Sequence, residues 1–253
     1  METSVLTASP NGVATAYRDS APRGACTGVP VVLVHGLGGD GRTWDRLARR
    51  LTAAGRRVVA VDLRGHGRSA RASSYRFSEF AADVAGLCEH LGFDTVDLVG
   101  HSLGGHTGSL VAQHQPGLVR RLVLEEAPMP LRESDPIPEI PAHRPTPAEL
   151  WHATTSMVLN PRAVFSFDRS MTESVMFQFR TPNPVWWEQL PSMKSQTMLL
   201  RGVRCGSMVD PRLLTDALSL LPNGVVQEIP CGHSIHRDRS EYFAAAVMPF
   251  LTD

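Results

Sequence analysis

Apolar and polar positions alternate along this chain in blocks. A short polar-apolar run, the turn residues Pro10-Asn11-Gly12 and a second such run open the sequence and predict a β-hairpin. The continuous apolar run Val29-Pro30-Val31-Val32-Leu33-Val34 follows and stops at His35-Gly36-Leu37-Gly38-Gly39. Further runs are Arg57 to Val61, Val96 to Val99, Leu122 to Leu124, Thr197 to Leu200 and Val225 to Ile229, each ending in glycine, proline or charged residues. Short unbroken apolar runs suit parallel strands covered on both faces. Between them, Trp44 to Ala54, Ser78 to Leu91, Leu103 to His114, Arg212 to Leu221 and Arg239 to Leu251 carry apolar residues at helical spacing. Alternating strand and helix predict a doubly wound, mostly parallel α/β sheet, which binds ligands beyond the carboxyl ends of its strands. The glycine-rich and polar segments lie there.

The alternation breaks from Pro128 to Ser195. Prolines cluster at Pro128, Pro130, Pro136, Pro138, Pro141, Pro145 and Pro147, and then come Trp151, Met157, Phe165, Phe167, Met171, Met176, Phe177, Phe179, Trp186 and Trp187. A stretch this long is not an ordinary structureless loop. It is expected to be a helical cap (128–195) inserted between two parts of one core, 1–127 and 196–253.

Composition narrows the function classes. At 253 residues and 42% apolar content, the chain can bury one large core. Lys+Arg and Asp+Glu both number 25, which gives no electrostatic reason to expect nucleic acid or an acidic membrane as partner. Met1 to Pro10 lacks a basic start followed by an apolar run, and no apolar stretch reaches bilayer-spanning length. Cys26, Cys88, Cys205 and Cys231 lack metal-ligand spacing and read as free thiols. No Gly-x-Gly-x-x-Gly opens a helix after a strand. The expectation is a cytoplasmic protein with no cofactor and no metal, acting on a small molecule; the sequence leaves its oligomeric state open.

The chemistry concentrates in three segments. Gly100-His101-Ser102-Leu103-Gly104 is a Gly-x-Ser-x-Gly motif between an apolar run and a helical pattern, which is the setting of a nucleophile elbow. It would project the Ser102 hydroxyl above the sheet at a helix amino end, where backbone N–H groups favour negative charge. A hydroxyl needs a base. His233, directly after the last strand through Gly232, is the candidate, with His236 as its rival. His35, His66, His101 and His106 are expected to order loops or pack a helix. Acyl transfer also needs oxyanion donors. The backbone N–H groups of Leu103, after the nucleophile, and of Leu37, in the loop after the first central strand, are the candidates.

His35-Gly36-Leu37-Gly38, Asp62-Leu63-Arg64-Gly65-His66-Gly67-Arg68-Ser69, Gly100 to Gly105 and Gly232-His233 occur in that order, and together they resemble the α/β-hydrolase family. The resemblance runs from Val29 to Ala127 and from Thr197 to the end. It implies an eight-stranded sheet, a cap after strand six, and a serine, histidine and carboxylate acting together. The carboxylate departs from the common pattern. The family usually carries it a few residues after strand seven, following Gly-x-x-Asp, where this chain has Cys205. Asp210, before Pro211, carries a helix-capping signature. Fungal zearalenone lactonases, within the family, carry a glutamate after strand six, where this chain reads Leu124-Glu125-Glu126, and Pro184-Val185-Trp186 also resembles them. The resemblance implies Glu126 as the acid, with Glu125 and Asp210 as alternatives. A serine hydrolase of carboxylic esters or lactones is expected, with Trp186 or Trp187 contacting a bulky apolar or aromatic substrate. Carbon–carbon hydrolases, thioesterases and acyltransferases use the same set of residues, and the fold also hosts small-molecule receptors.

Overall fold

The computed structural model describes residues 4–136, 154, 158 and 166–252. The expected hairpin forms from β1 (Val5–Ala8) and β2 (Thr15–Ser20), with Gly12 of its connection at φ 74°, a left-handed geometry that favours glycine. β3 (Val31–Val34), β4 (Val58–Val61), β5 (Val96–His101), β6 (Val119–Glu125), β7 (Gln196–Gly202) and β8 (Gly224–Ile229) complete one eight-stranded sheet in the order β1-β2-β4-β3-β5-β6-β7-β8. β1–β2 and β2–β4 pair antiparallel; every other pair is parallel.

The helices are α1 (Asp45–Ala53), α2 (Phe77–His90), α3 (Leu103–His114), α4 (Met171–Arg180), α5 (Pro184–Gln189), α6 (Pro211–Leu220), α7 (Ile235–Asp238) and α8 (Ser240–Thr252). Two apolar clusters result. One joins Phe80 and Val84 of α2 with Leu103 of α3, Leu213 of α6, and Trp186 and Trp187. The other joins Leu47 and Leu51 of α1 with Phe243 and Val247 of α8. β3, β4 and β5 contribute to both, because alternate strand residues point to opposite faces. This double burial explains why those strands read as unbroken apolar runs.

The chain between β6 and β7 holds α4, α5 and the 3₁₀ turn Leu190–Ser192. Its described part is fastened to the core by polar contacts as well as apolar ones. Tyr75 Oη donates to Asp168 (2.6 Å), the Phe77 N–H donates to Gln178 (2.9 Å), and Gln178 donates back to the Tyr75 carbonyl (2.8 Å). Trp151, Met157, Phe165 and four of the seven clustered prolines, Pro138, Pro141, Pro145 and Pro147, lie outside the described residues. No helix among the described residues is long and apolar enough to cross a membrane.

Candidate active site

β5 ends at His101, α3 begins at Leu103, and Ser102 alone makes the turn, at φ 52° and ψ −117°. A side-chain-bearing residue at positive φ is uncommon and costs energy that the surroundings must supply. Here glycines remove the obstacles. A Cβ on Gly100 would lie 2.3 Å from the Gly104 carbonyl oxygen, and one on Gly104 would lie 2.3 Å from the Val34 carbonyl oxygen. The Ser102 N–H is tied to the Glu125 carbonyl at 2.9 Å. The hydroxyl therefore stands at the amino end of α3, beside the ends of β3 and β6.

The loop after β3 closes against this turn. A Cβ on Gly36 would meet Ser102 Cβ at 3.1 Å and His101 Nδ1 at 2.6 Å. His35 braces the loop: its Nδ1–H donates to the Gly36 carbonyl (2.7 Å) and its Nε2 accepts from the Leu63 N–H (3.0 Å). Asp62 ties the neighbouring turns together by accepting from the N–H groups of Gly41 (2.7 Å) and Arg68 (2.9 Å). Neither the Leu37 nor the Leu103 N–H has a hydrogen-bond acceptor among the described residues.

The two adjacent glutamates diverge to two different histidines. Glu126, fully buried and at φ 47°, faces His233: its Oε2 stands 3.3 Å from Nδ1. Its carboxylate also accepts from the Gly202 N–H (2.6 Å), Ser207 Oγ (2.8 Å) and the Met208 N–H (2.8 Å). The loop after β7, which lacks an acid at Cys205, instead supplies donors that hold an acid reaching in from β6. Gly202 is required for this crossing, since a Cβ there would lie 2.4 Å from the carbonyl oxygens of Cys231 and Gly232, just before His233. Glu125, also fully buried, pairs with His236: its carboxylate accepts from the His236 N–H (2.8 Å) and from Nδ1 (2.7 Å). Asp210 caps α6, accepting from the Arg212 N–H at 2.8 Å and pairing with the Arg212 guanidinium. His233 is the more open histidine, its side chain 26% exposed against 3% for His236.

Sequence reading had no signal for Ser207 or the Met208 N–H. It had a partial one for His101, a member of the elbow motif, whose Nε2–H donates to the His233 carbonyl at 2.9 Å. His101, Glu125 and His236 are also a buried set whose metal-type donor atoms lie within 4.8 Å of one another; here His236 and Glu125 satisfy each other directly. Burial pushes the imidazoles of His66, His101 and His106 down to about 3 and that of His236 well below its usual value, so these rings are neutral at pH 7.

Trp186 and Trp187 sit edge-on to each other at 82° and are only 4% and 5% exposed. The Trp186 indole donates to Ser109 Oγ and the Trp187 indole to the Pro130 carbonyl, both at 2.9 Å, while Arg132 covers the Trp187 ring at 4.7 Å. With faces packed and N–H groups engaged, contact between a ligand and either ring requires this segment to shift. Trp187→Ala is expected to cost about 3–5 kcal/mol of stability, the usual range for truncating a buried tryptophan. Denaturant titration measures that loss, and kcat/KM for acetate and bulky aryl esters should change by the same factor. A selective loss on the bulky ester would instead place the ring against substrate.

Residues 29–197 match the model of the alpha/beta hydrolase fold family. The chain belongs to that family and is an α/β-hydrolase enzyme. It is 27% identical over 248 residues to the sn-1-specific diacylglycerol lipase ABHD11 of Mus musculus, covering 87% of this chain and 80% of that protein. It is 32% identical over 176 residues to a non-heme haloperoxidase of Rhodococcus erythropolis, covering 64% of this chain and 61% of that one. A carboxylesterase structure from the thaumarchaeon Nitrososphaera gargenis superposes with a TM-score of 0.78 at 22% identity, covering 98% of this chain and 97% of the other. That last likeness shows the fold.

Proposed function

We propose that the chain hydrolyses a carboxylic ester or lactone through an acyl-enzyme on Ser102, with His233 as general base and acid and Glu126 as its orienting carboxylate. The observation that carries this reading is the buried Glu126 carboxylate facing His233 Nδ1 at 3.3 Å, one residue past the end of β6, the strand next to the one that ends in the Ser102 elbow. Ser102 Oγ attacks the carbonyl carbon and its proton passes to His233 Nε2. The oxyanion accepts from the Leu37 and Leu103 N–H groups, and Glu126 stabilises the imidazolium. Collapse expels the alcohol, which takes the proton from His233; in a lactone that alcohol stays tethered to the acyl group. Water, deprotonated by His233, then attacks the ester on Ser102 and frees the acid. Apo geometries of such sites are often long and tighten on substrate.

A bulky apolar or aromatic substrate fits the aromatic residues gathered between the core and the β6–β7 segment, which we read as a cap: Phe77, Phe167, Phe179 and Trp186. Trp186 and Trp187 would back this region and meet substrate only if their segment shifts. The cysteines are free thiols, in keeping with a cytoplasmic protein.

Turnover of p-nitrophenyl esters, aryl lactones, thioesters and carbon–carbon substrates by the purified protein tests the reaction class. A binder without turnover would fail on all four. A fluorophosphonate should modify Ser102, mapped by mass spectrometry, and Ser102→Ala should abolish both labelling and turnover. An adduct elsewhere on active protein would remove Ser102 from the role.

A further inference from the structure

Glu125 has no part in the triad just proposed, yet it lies directly beneath it. β5 and β6 pair His101 with Glu125, and the two rings nearest the base crowd the same space: His101 lies 4.7 Å from His233 and 5.0 Å from His236, centroid to centroid. The hydrogen bonds are directional. Glu125 holds the His236 N–H and its ring Nδ1–H, and Thr43 Oγ1 donates to His236 Nε2 at 2.8 Å, with Trp44 stacked on the ring at 4.2 Å. That fixes Ile235–Asp238 at the end of the loop that carries His233. From the other side, His101 Nε2–H fixes the His233 carbonyl. His233 is therefore held through its carbonyl by His101 and, three residues on, by the His236–Glu125 pair, and the donor atoms of His101, Glu125 and His236 lie within 4.8 Å of one another.

We propose that Glu125, acting through His101 and His236, is a positioning residue for His233. It holds the loop in register and supplies a second buried negative charge that favours the His233 imidazolium. The inference rests on His233 being the general base. Burial pushes the Glu125 carboxyl up to about 7. The groups facing it are His101 from β5, His233 and His236 from the loop after β8 and α7, Cys231 from the same loop, and its neighbour Glu126. Burial drives the His101 and His236 imidazoles down, and it drives the Cys231 thiol up to about 11, so Glu125 is the member of this cluster that gains charge as pH rises through about 7.

A structural clamp alone would give Glu125→Gln the same loss at every pH. A charge role would not. Below pH 7 the native carboxyl is already neutral and the amide resembles it; above pH 7 the native enzyme has a charge that the variant lacks. At several ångströms and an effective dielectric constant of about 20, that charge is worth roughly 10- to 30-fold in rate. The test is kcat of the native enzyme, Glu125→Gln and Glu126→Gln from pH 6 to 8.5. Glu125→Gln should lose about 3-fold at pH 6 and roughly 10- to 30-fold at pH 8.5. A ratio that does not change with pH overturns the proposal. Glu126→Gln should be crippled throughout; if it kept full turnover, the triad assignment would fall instead, and the two failures are thereby told apart. Should Glu125→Gln not fold, ring-proton NMR of the native enzyme, assigned with His101→Asn, carries the test. The His101 and His236 signals should both shift with a midpoint near pH 7, although neither ring takes a proton there; signals that stay still between pH 6 and 8 overturn it.

Discussion

Glu126→Gln is expected to lower kcat by about four orders of magnitude, the scale on which a triad loses rate when its carboxylate becomes an amide and the imidazole adopts the wrong tautomer. The environment of Glu126 makes a second effect unavoidable. Its two oxygens accept from the Gly202 N–H, Ser207 Oγ, the Met208 N–H and His233 Nδ1, so every neighbour is a donor or can act as one. A glutamine must turn its NH₂ toward one of these sides, leaving two donors face to face at a cost of about 1–3 kcal/mol. The variant should therefore fold with a lowered melting temperature, and the loop after β7 should loosen. Ser207→Ala separates the two effects. It removes one neutral donor while the carboxylate and the His233 contact stay, so it should cost less than about 1.5 kcal/mol and leave kcat within an order of magnitude. Asp210→Asn should also be mild, since asparagine caps a helix about as well as aspartate. Melting curves and single-turnover kinetics on the three variants are sufficient. If Asp210→Asn were the crippling change and Glu126→Gln were not, the carboxylate would have been misassigned.

The central strands were legible because they obey one rule, which the edge strand β8, exposed from Val225 to Glu228, does not share. Strands covered on both faces must be apolar at every position, and β3 and β4 are fully buried from end to end. The five helical patterns appear within a residue or so of their expected ends, because each carries one apolar stripe toward one cluster. The elbow was legible because its glycines have a steric cause that any chain making that turn must share. Which glutamate faces which histidine was not. Glu125 and Glu126 are neighbours, and on a regular strand successive side chains point to opposite faces; the positive φ of Glu126 marks the point where the strand has ended and that rule lapses. The contacts that fix the pairing come from Gly202 and Ser207, some 80 residues away, and hydrogen bonds across such distances leave no periodic trace in the sequence. The two tryptophans illustrate the same limit. Adjacent helical positions lie about 100° apart, a geometry that would let one ring face a cleft while the other packs. α5 instead buries both, because Ser109 and the Pro130 carbonyl lie where each indole N–H can reach.

Stability should fall steeply below pH 6.5, and the buried histidines are the cause. His66, His101, His106 and His236 are held neutral in the folded chain, while in the unfolded chain each takes a proton as pH drops through about 6.5. Below that pH the unfolded state binds more protons, so acid favours unfolding, by roughly 1.4 kcal/mol per pH unit for each fully linked group. Glu125 works in the opposite sense. Its folded value of about 7 lies above the unfolded one, so stability gained as pH falls from 7 toward 4.5 offsets about one histidine. The net slope of roughly 4 kcal/mol per pH unit would consume a stability margin of about 5–10 kcal/mol before pH 4. Lowered carboxyls such as those of Asp168 and Asp210 lose their contribution only below about 4, later in the titration. His106 isolates the effect. Both of its ring nitrogens lack a partner among the described residues, and it is packed against Phe77, Phe179 and Trp186. His106→Leu keeps a similar volume and removes two unsatisfied polar atoms, so it should stabilise by about 1 kcal/mol at pH 7.5. The gain should grow by roughly 1.4 kcal/mol for each pH unit below 6.5, because the variant no longer excludes a proton that its unfolded chain would bind. Denaturant titrations at pH 7.5, 6 and 5 read this directly. Parallel stability curves for the two proteins would mean that His106 takes its proton while folded, and the aromatic cage would then be stabilising the imidazolium instead of excluding it.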